Sequence, residues 1–239
     1  MVTKNQIKLV VSLKQKKYRS QHKLFVVEGE KVVDELLRSG MKPFKIFVDE
    51  SEKMKKFNTS ELVSTKVLKQ MSSLTHPNGV LGVFHMIENG EKTDHDWIVA
   101  LDAVRDPGNL GTIIRLCDWF GVDQLVCSKD TVDCYNPKVL QATMGSIARV
   151  GVAYVDLEKY LNTIKYPIYG AYMDGEPVYN ANLPEKGVLV MGNEANGVSD
   201  AVGELITKRI SIPQFGVPTT ESLNVATATA ILLSEIRRG

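Results

Sequence analysis

The chain has 239 residues, 44% hydrophobic and 24% charged, with a formal net charge of +1. This is an ordinary globular composition, too apolar for a disordered segment, and no apolar run approaches the roughly 20 residues that span a bilayer. Cys117, Cys127 and Cys134 form no CxxC pair and four scattered histidines show no metal-ligand spacing, so the expectation is a reducing compartment, no structural zinc and, with no signal-peptide core at the N-terminus, a cytoplasmic location.

The near-zero charge hides an asymmetry. Residues 1 to 70 carry 16 Lys/Arg against 8 Asp/Glu, and the remainder 13 against 20. Lys4, Lys8, Lys14, Lys16, Lys17, Arg19 and Lys23 all precede the first acid, Glu28. A basic arm of this kind suits a nucleic-acid contact, and equally a solvated helix face.

In chain order, residues 5 to 17 read as a short basic helix. "KLFVVEG" reads as a strand, and "EKVVDELLRSG" as a helix with Val32, Val33, Leu36 and Leu37 on one face. "PFKIFVDE" is a second strand, "KVLKQMSSL" a helix and "GVLGVFHM" a third strand, an αβαβαβ unit over residues 1–87. The polar stretch around "IENGEKTDHD" marks a linker at 88–96. Over 97–239, "WIVALD", "QLVCS", "VGVAYV", "PIYGAYM", "GVLVMG" and "KRISIP" alternate with helix-length stretches, the pattern of a parallel sheet covered by helices.

Ligands of such sheets sit on the loops beyond the strand carboxyl ends. Three such loops are rich in Gly, Pro, Asn and acids. "DAVRDPGNLGT" places Asn109 in a Pro-Gly turn, where it could be only a turn residue or cap, and Arg115 follows inside the apolar "GTIIRLCDWF". An arginine there is either paired or aimed at a phosphate or carboxylate. "GNEANGVSD" puts Glu194 between glycines directly after a strand. "PQFGVPTTESLN" leads into the helix "VATATAILLSEI" through Ser222 and Asn224, which are also ordinary capping types. Neither GxGxxG after the first strand nor GxxxxGK[ST] occurs, which disfavours a dehydrogenase and a P-loop NTPase.

Taken together, "DPGNLGTIIR", "VMGNEANGV" and "ISIPQFGVPTTESLNVATA" closely resemble the three motifs of the SpoU/TrmH family of RNA ribose 2′-O-methyltransferases, within the SPOUT superfamily. The first 87 residues look like the L30e-like substrate-binding domain found in front of it. The resemblance implies an α/β methyltransferase domain over 97–239 with a C-terminal trefoil knot, which pattern reasoning alone would never propose. It implies S-adenosylmethionine as methyl donor, held around Met191, Gly192, Asn193, Ile212 and Leu223. It implies RNA as partner, rRNA favoured over tRNA, and a homodimer formed through the catalytic domain. Asn109, Arg115, Glu194, Ser222 and Asn224 fall on the motif positions assigned to catalysis. Physical chemistry favours Arg115 as a phosphate and oxyanion clamp over a general base, since a guanidinium rarely releases its proton. Glu194 is expected to hold Arg115 or Asn109. A tRNA enzyme and a non-catalytic RNA-binding protein stay open as alternatives.

Overall fold

A computed structural model describes residues 2–87, 95–216 and 222–238. By internal packing the chain divides into two units. One comprises residues 1–88 with 135–148, the other 89–134 with 149–239. The linker expected at 88–96 falls largely on residues 88–94, outside the described residues.

In the first unit a capping box starts α1 (Lys4–Ser12), the Thr3 hydroxyl accepting from the Gln6 N–H and the Gln6 side chain from the Thr3 N–H. The basic stretch is two helices rather than one, because α1 stops short of α2 (Lys16–His22). Arg19 holds the corner. Its side chain is buried and donates to the carbonyls of Leu13 and Lys14 at 2.9 and 2.8 Å, oxygens that a helix end leaves without partners. Lys14 likewise donates to the Ser72 carbonyl at 2.6 Å. Two charges of the basic arm are therefore engaged in structure.

Next come β1 (Leu24–Glu28), α3 (Glu30–Arg38), β2 (Pro43–Val48), α4 (Ser51–Lys56), β3 (Ser60–Leu62), α5 (Thr65–Met71) and β4 (Val80–His85). The pattern αβαβαβ lacked α4 and β3, both too short to show a periodicity. The sheet order is β1-β4-β2-β3, with β4 antiparallel to β1 and β2, and β3 parallel to β2. Strand alternation sends Leu24, Phe47, Leu81 and Val83 toward Val10 and Leu13 of α1 and Leu68 and Met71 of α5. Phe25 points the other way, its ring against Phe84 and Tyr135.

The second unit follows with β5 (Trp97–Leu101), α6 (Pro107–Trp119) and β6 (Gln124–Ser128). Residues 135–148, with α7 (Pro137–Thr143), pack with the first unit although they lie beyond the linker in sequence. The chain continues through β7 (Gly151–Val155), α8 (Leu157–Asn162), β8 (Ile168–Pro177), β9 (Gly187–Met191), α9 (Asp200–Gly203), β10 (Lys208–Ser211) and α10 (Val225–Ile236). All six strands run parallel, in the order β10-β8-β9-β5-β6-β7. The apolar runs are continuous because β5 and β9 are buried at every residue. Strand order reverses between β5 and β9, and a crevice at that point is where such sheets hold ligands. No helix among the described residues is long and apolar enough to cross a membrane.

Candidate active site

The loop after β5 begins with Ala103 in the left-handed region at φ 56°, unusual for a residue with a Cβ. It is held there by the Ala103 N–H donating to Ser128 Oγ at 2.9 Å. Asp106 then caps α6, accepting from the Asn109 N–H at 2.8 Å, and Pro107 takes the first helical position. Asn109 is thus fixed in the first turn with its amide projecting away from the backbone bond.

The loop after β9 closes on itself. Asn193 and Gly197 exchange backbone hydrogen bonds of 2.8 and 2.9 Å. A Cβ on Gly192 would lie 2.3 Å from the Gly197 carbonyl carbon, and Gly197 has φ +69°, so both glycines are required. The Asn193 side chain is spent inside the loop, its Oδ1 accepting from the N–H groups of Ala195 and Asn196 and its Nδ2 donating to the Ala103 carbonyl at 2.7 Å. The buried Asp102 carboxylate accepts from the Ser199 N–H at 2.7 Å, tying the two loops together a second time.

The third element is the start of α10. Asn224 is the cap there, its Oδ1 accepting from Ala226 and Thr227 N–H at 2.9 and 3.2 Å. As the sequence suggests, Ser222 and Asn224 lead into the helix rather than lie within it: α10 begins at Val225, and Ser222 lies ahead of it in an exposed position. Val217–Glu221, the middle of the third motif, fall outside the described residues.

These three loops meet through side chains. Asn224 Nδ2 donates to Asn109 Oδ1 at 2.8 Å, and Asn109 Nδ2 donates to Glu194 Oε1 at 2.9 Å. The direction of this relay is forced. Asn224 must turn its oxygen to the helix N–H groups, which leaves its NH2 for Asn109, which in turn has only its own NH2 left for the carboxylate. Glu194 therefore holds Asn109. Arg115 is elsewhere, exposed on α6 about 9 Å further along the helix axis. Among the described residues it has no hydrogen-bond or ion-pair partner.

Beside the relay lies a cavity of about 840 Å³. Met191, Gly192, Asn193, Ile212 and Leu223, the five residues expected at a cofactor, all line it, as do Glu194, Ser222 and Asn224. Asn109 and Arg115 do not. One wall was missed from the sequence. The β8–β10 register passes from Gly170 opposite Arg209 to Glu176 opposite Ile210, so five residues of β8 leave the ladder. Four of them, Ala171, Tyr172, Met173 and Asp174, form that wall. The available signal was the pair Gly170 and Gly175 within one strand, since glycine inside a strand marks a bulge or a close approach. A Cβ on Gly175 would indeed sit 2.6 Å from the Ile210 carbonyl carbon. No group of His, Cys, Asp and Glu among the described residues could hold a metal ion.

Residues 96–234 match the model of the SpoU rRNA Methylase family. The chain belongs to that family. Residues 4–82 match the MRM3-like substrate binding domain. Among its relatives, the 23S rRNA guanosine 2′-O-methyltransferase RlmP of Bacillus subtilis is 33% identical over 230 residues, 93% of this chain and 92% of that protein. A solved structure from Porphyromonas gingivalis, described as an RNA methyltransferase of the TrmH family, is 37% identical with a TM-score of 0.90, covering 100% of this chain and 99% of its own. The AdoMet-bound rRNA methyltransferase from Sinorhizobium meliloti is 29% identical with a TM-score of 0.87, over 100% and 96% of the two chains.

Proposed function

We propose that this SpoU-family methylase transfers a methyl group from S-adenosylmethionine to a ribose 2′-hydroxyl of ribosomal RNA, with large-subunit rRNA as the first substrate to test. The observation that carries this reading is the Asn224–Asn109–Glu194 relay standing at the mouth of a cofactor-sized cavity. The cavity suits the donor. Backbone around Gly192 and Gly197 can approach an adenine closely, and Ile212, Leu223, Val225 and Leu232 supply apolar walls. When bound there, the donor supplies an electrophilic methyl group on a sulfonium. No metal is required of the site.

The chain's own part is positioning and charge. A hydroxyl attacks well only as its proton leaves, so a developing alkoxide must be stabilised. Asn109, fixed at both ends, and Ser222 orient the hydroxyl toward the cavity. Arg115, exposed and unengaged among the described residues, clamps the RNA phosphate beside the target ribose and offsets the developing negative charge. With the donor bound, the ribose oxygen would take the methyl carbon as the carbon–sulfur bond breaks, the sulfur keeping that electron pair as a neutral thioether and the hydroxyl proton passing to solvent. Much of the rate comes from holding that oxygen in line with the methyl group.

The same reading covers the rest of the molecule. Residues 1–87 act as an L30e-like RNA-binding domain, supported by the substrate-binding match and the basic arm. Residues 97–239 form the methyltransferase domain with a trefoil knot at its C-terminal loops. Trp119 is 82% exposed on α6, an apolar side chain suited to burial against a second copy of the chain. Light scattering should give the mass of a dimer, and a monomer would remove that part of the reading. The function itself is tested by incubating the protein with labelled S-adenosylmethionine and rRNA from a strain lacking it. One 2′-O-methyl site should appear in the rRNA, and label confined to tRNA, or none in either, refutes the proposal.

A further inference from the structure

Between β2 and β4 the register passes from Pro43 opposite Phe84 to Lys45 opposite Val83. Phe44 is the extra residue of a bulge, a device that re-aims a side chain at a sheet edge or site. Phe25, Phe47, Phe57 and Phe84 are all buried, whereas Phe44 is 48% exposed. Its ring meets the exposed His85 ring edge-on, with centroids 5.8 Å apart. Across this end of the sheet, β4 lies between β1 and β2, so the surface is flanked on both sides. Leu24 pairs with His85, and Lys23 accepts from the Met86 N–H through its carbonyl, which brings exposed Lys23 alongside. On the other side exposed Lys42 precedes Phe44 by two residues.

The charge is one-sided. The segments 18–25, 41–46 and 83–87 that build this edge contain Arg19, His22, Lys23, Lys42, Lys45 and His85 and no Asp or Glu. Lys45 is paired with Glu61 at 3.0 Å, and Arg19 is buried in the α1–α2 corner, which leaves Lys23 and Lys42 as the flanking cations in solvent. An exposed aromatic face between two solvated lysines is complementary to an unpaired base with a phosphate on either side. A purely apolar partner would gain nothing from the lysines.

We propose that the Phe44 ring, braced edge-on by His85, is a stacking platform for one unpaired base of the RNA, with Lys23 and Lys42 on the adjoining phosphates. The inference rests on the rRNA reading and adds to it a second contact, in the first unit, that selects a single-stranded segment of the substrate. Stacking on an aromatic face tolerates any base, so the site sets affinity and strand state rather than sequence.

The test measures binding of a single-stranded oligoribonucleotide to the full chain by fluorescence anisotropy over a potassium chloride series. S-adenosylhomocysteine affinity, measured by calorimetry, serves as the folding control for every variant. Phe44→Ala should weaken oligonucleotide binding about 10-fold with an unchanged salt slope. Phe44→Trp should bind as wild type, while Phe44→Leu, which keeps apolar area but no π face, should behave as the alanine variant. Lys23→Ala and Lys42→Ala should each reduce the salt slope by about 0.7. Wild-type affinity in Phe44→Ala or Phe44→Leu overturns the platform, as does a wild-type chain that binds no oligonucleotide. The two readings separate cleanly. If Phe44→Ala methylates and binds rRNA as wild type, only the platform fails; if oligonucleotide binding depends on Phe44 yet rRNA is never methylated, only the rRNA methyltransferase reading fails.

Discussion

Asn224 serves two roles that substitution can separate. Its Oδ1 caps α10 through two N–H groups, and its Nδ2 supports Asn109. Asn224→Ala removes both. Loss of an N-cap costs about 1 kcal/mol, and the Asn109 oxygen, being partly exposed, recovers a water, so little is added. For a chain of this size that is a fall of about 2–4 °C in Tm. Asn224→Asp keeps the acceptor at a helix N-terminus, where a carboxylate is also favoured by the helix dipole, so stability should stay within about 0.5 kcal/mol of wild type. The relay cannot survive it. The introduced carboxylate faces Asn109 Oδ1, and if Asn109 turns its amide over, its oxygen then faces Glu194 instead. One pair of acceptors is opposed in either case. Misplacement of a positioning group can cost on the order of 100-fold in rate, so both variants should be slow while only the alanine variant is less stable. Thermal unfolding and single-turnover methyl transfer to RNA measure the two effects. A carboxylate variant that turns over at the wild-type rate would refute the relay as a positioning device.

Three further outcomes are expected. Arg115→Lys and Arg115→Ala should both lose about 100-fold in single-turnover rate at every pH while retaining cofactor affinity; a lysine variant recovering at alkaline pH would restore the arginine as a base. The Arg237 guanidinium donates to Asp96 and to the carbonyls of Phe120 and Gly121, clasping the C-terminal end of α6. Chiefly through that hydrogen bond, it holds the Asp96 carboxyl below its ordinary 3.8. A depressed folded-state pKa contributes stability that is present above the unfolded value and lost as pH falls through the folded one, so urea midpoints should drop less between pH 5 and pH 2 in Asp96→Asn than in wild type. Cys117, Cys127 and Cys134 are buried, and burial pushes the Cys117 thiol up to about 12. The native protein should therefore leave all three unmodified by a thiol reagent at pH 8, and unfolded protein should titrate three; rapid labelling of the native chain would contradict the packing.

Much of this molecule is legible in its sequence. Continuous apolar runs such as "WIVAL" and "GVLVM" predict buried parallel strands, since a strand covered on both faces has no polar side to alternate. The expected strands all appear. Motif residues were legible as types: a glycine-bracketed Glu194 and an Asn109 beside Pro107 declare loops built for close approach. What the linear chain could not hold is the joining of elements far apart in sequence. Asn109 and Asn224 are separated by 115 positions and Asn109 and Glu194 by 85, and only the parallel sheet brings their loops to one crevice. That is why Glu194 could be assigned to either Asn109 or Arg115 until distances decided it. Local pattern also cannot tell a solvated cation from a spent one, and so Arg19 counted toward the basic arm although its guanidinium closes a helix corner. The pocket wall at residues 171–174 and the bulge at Phe44 share one cause. Both are departures from a strand's pairing register, and register belongs to two strands at once; Gly170 and Gly175 mark the first only as a place of close approach, and no residue of β2 marks the second.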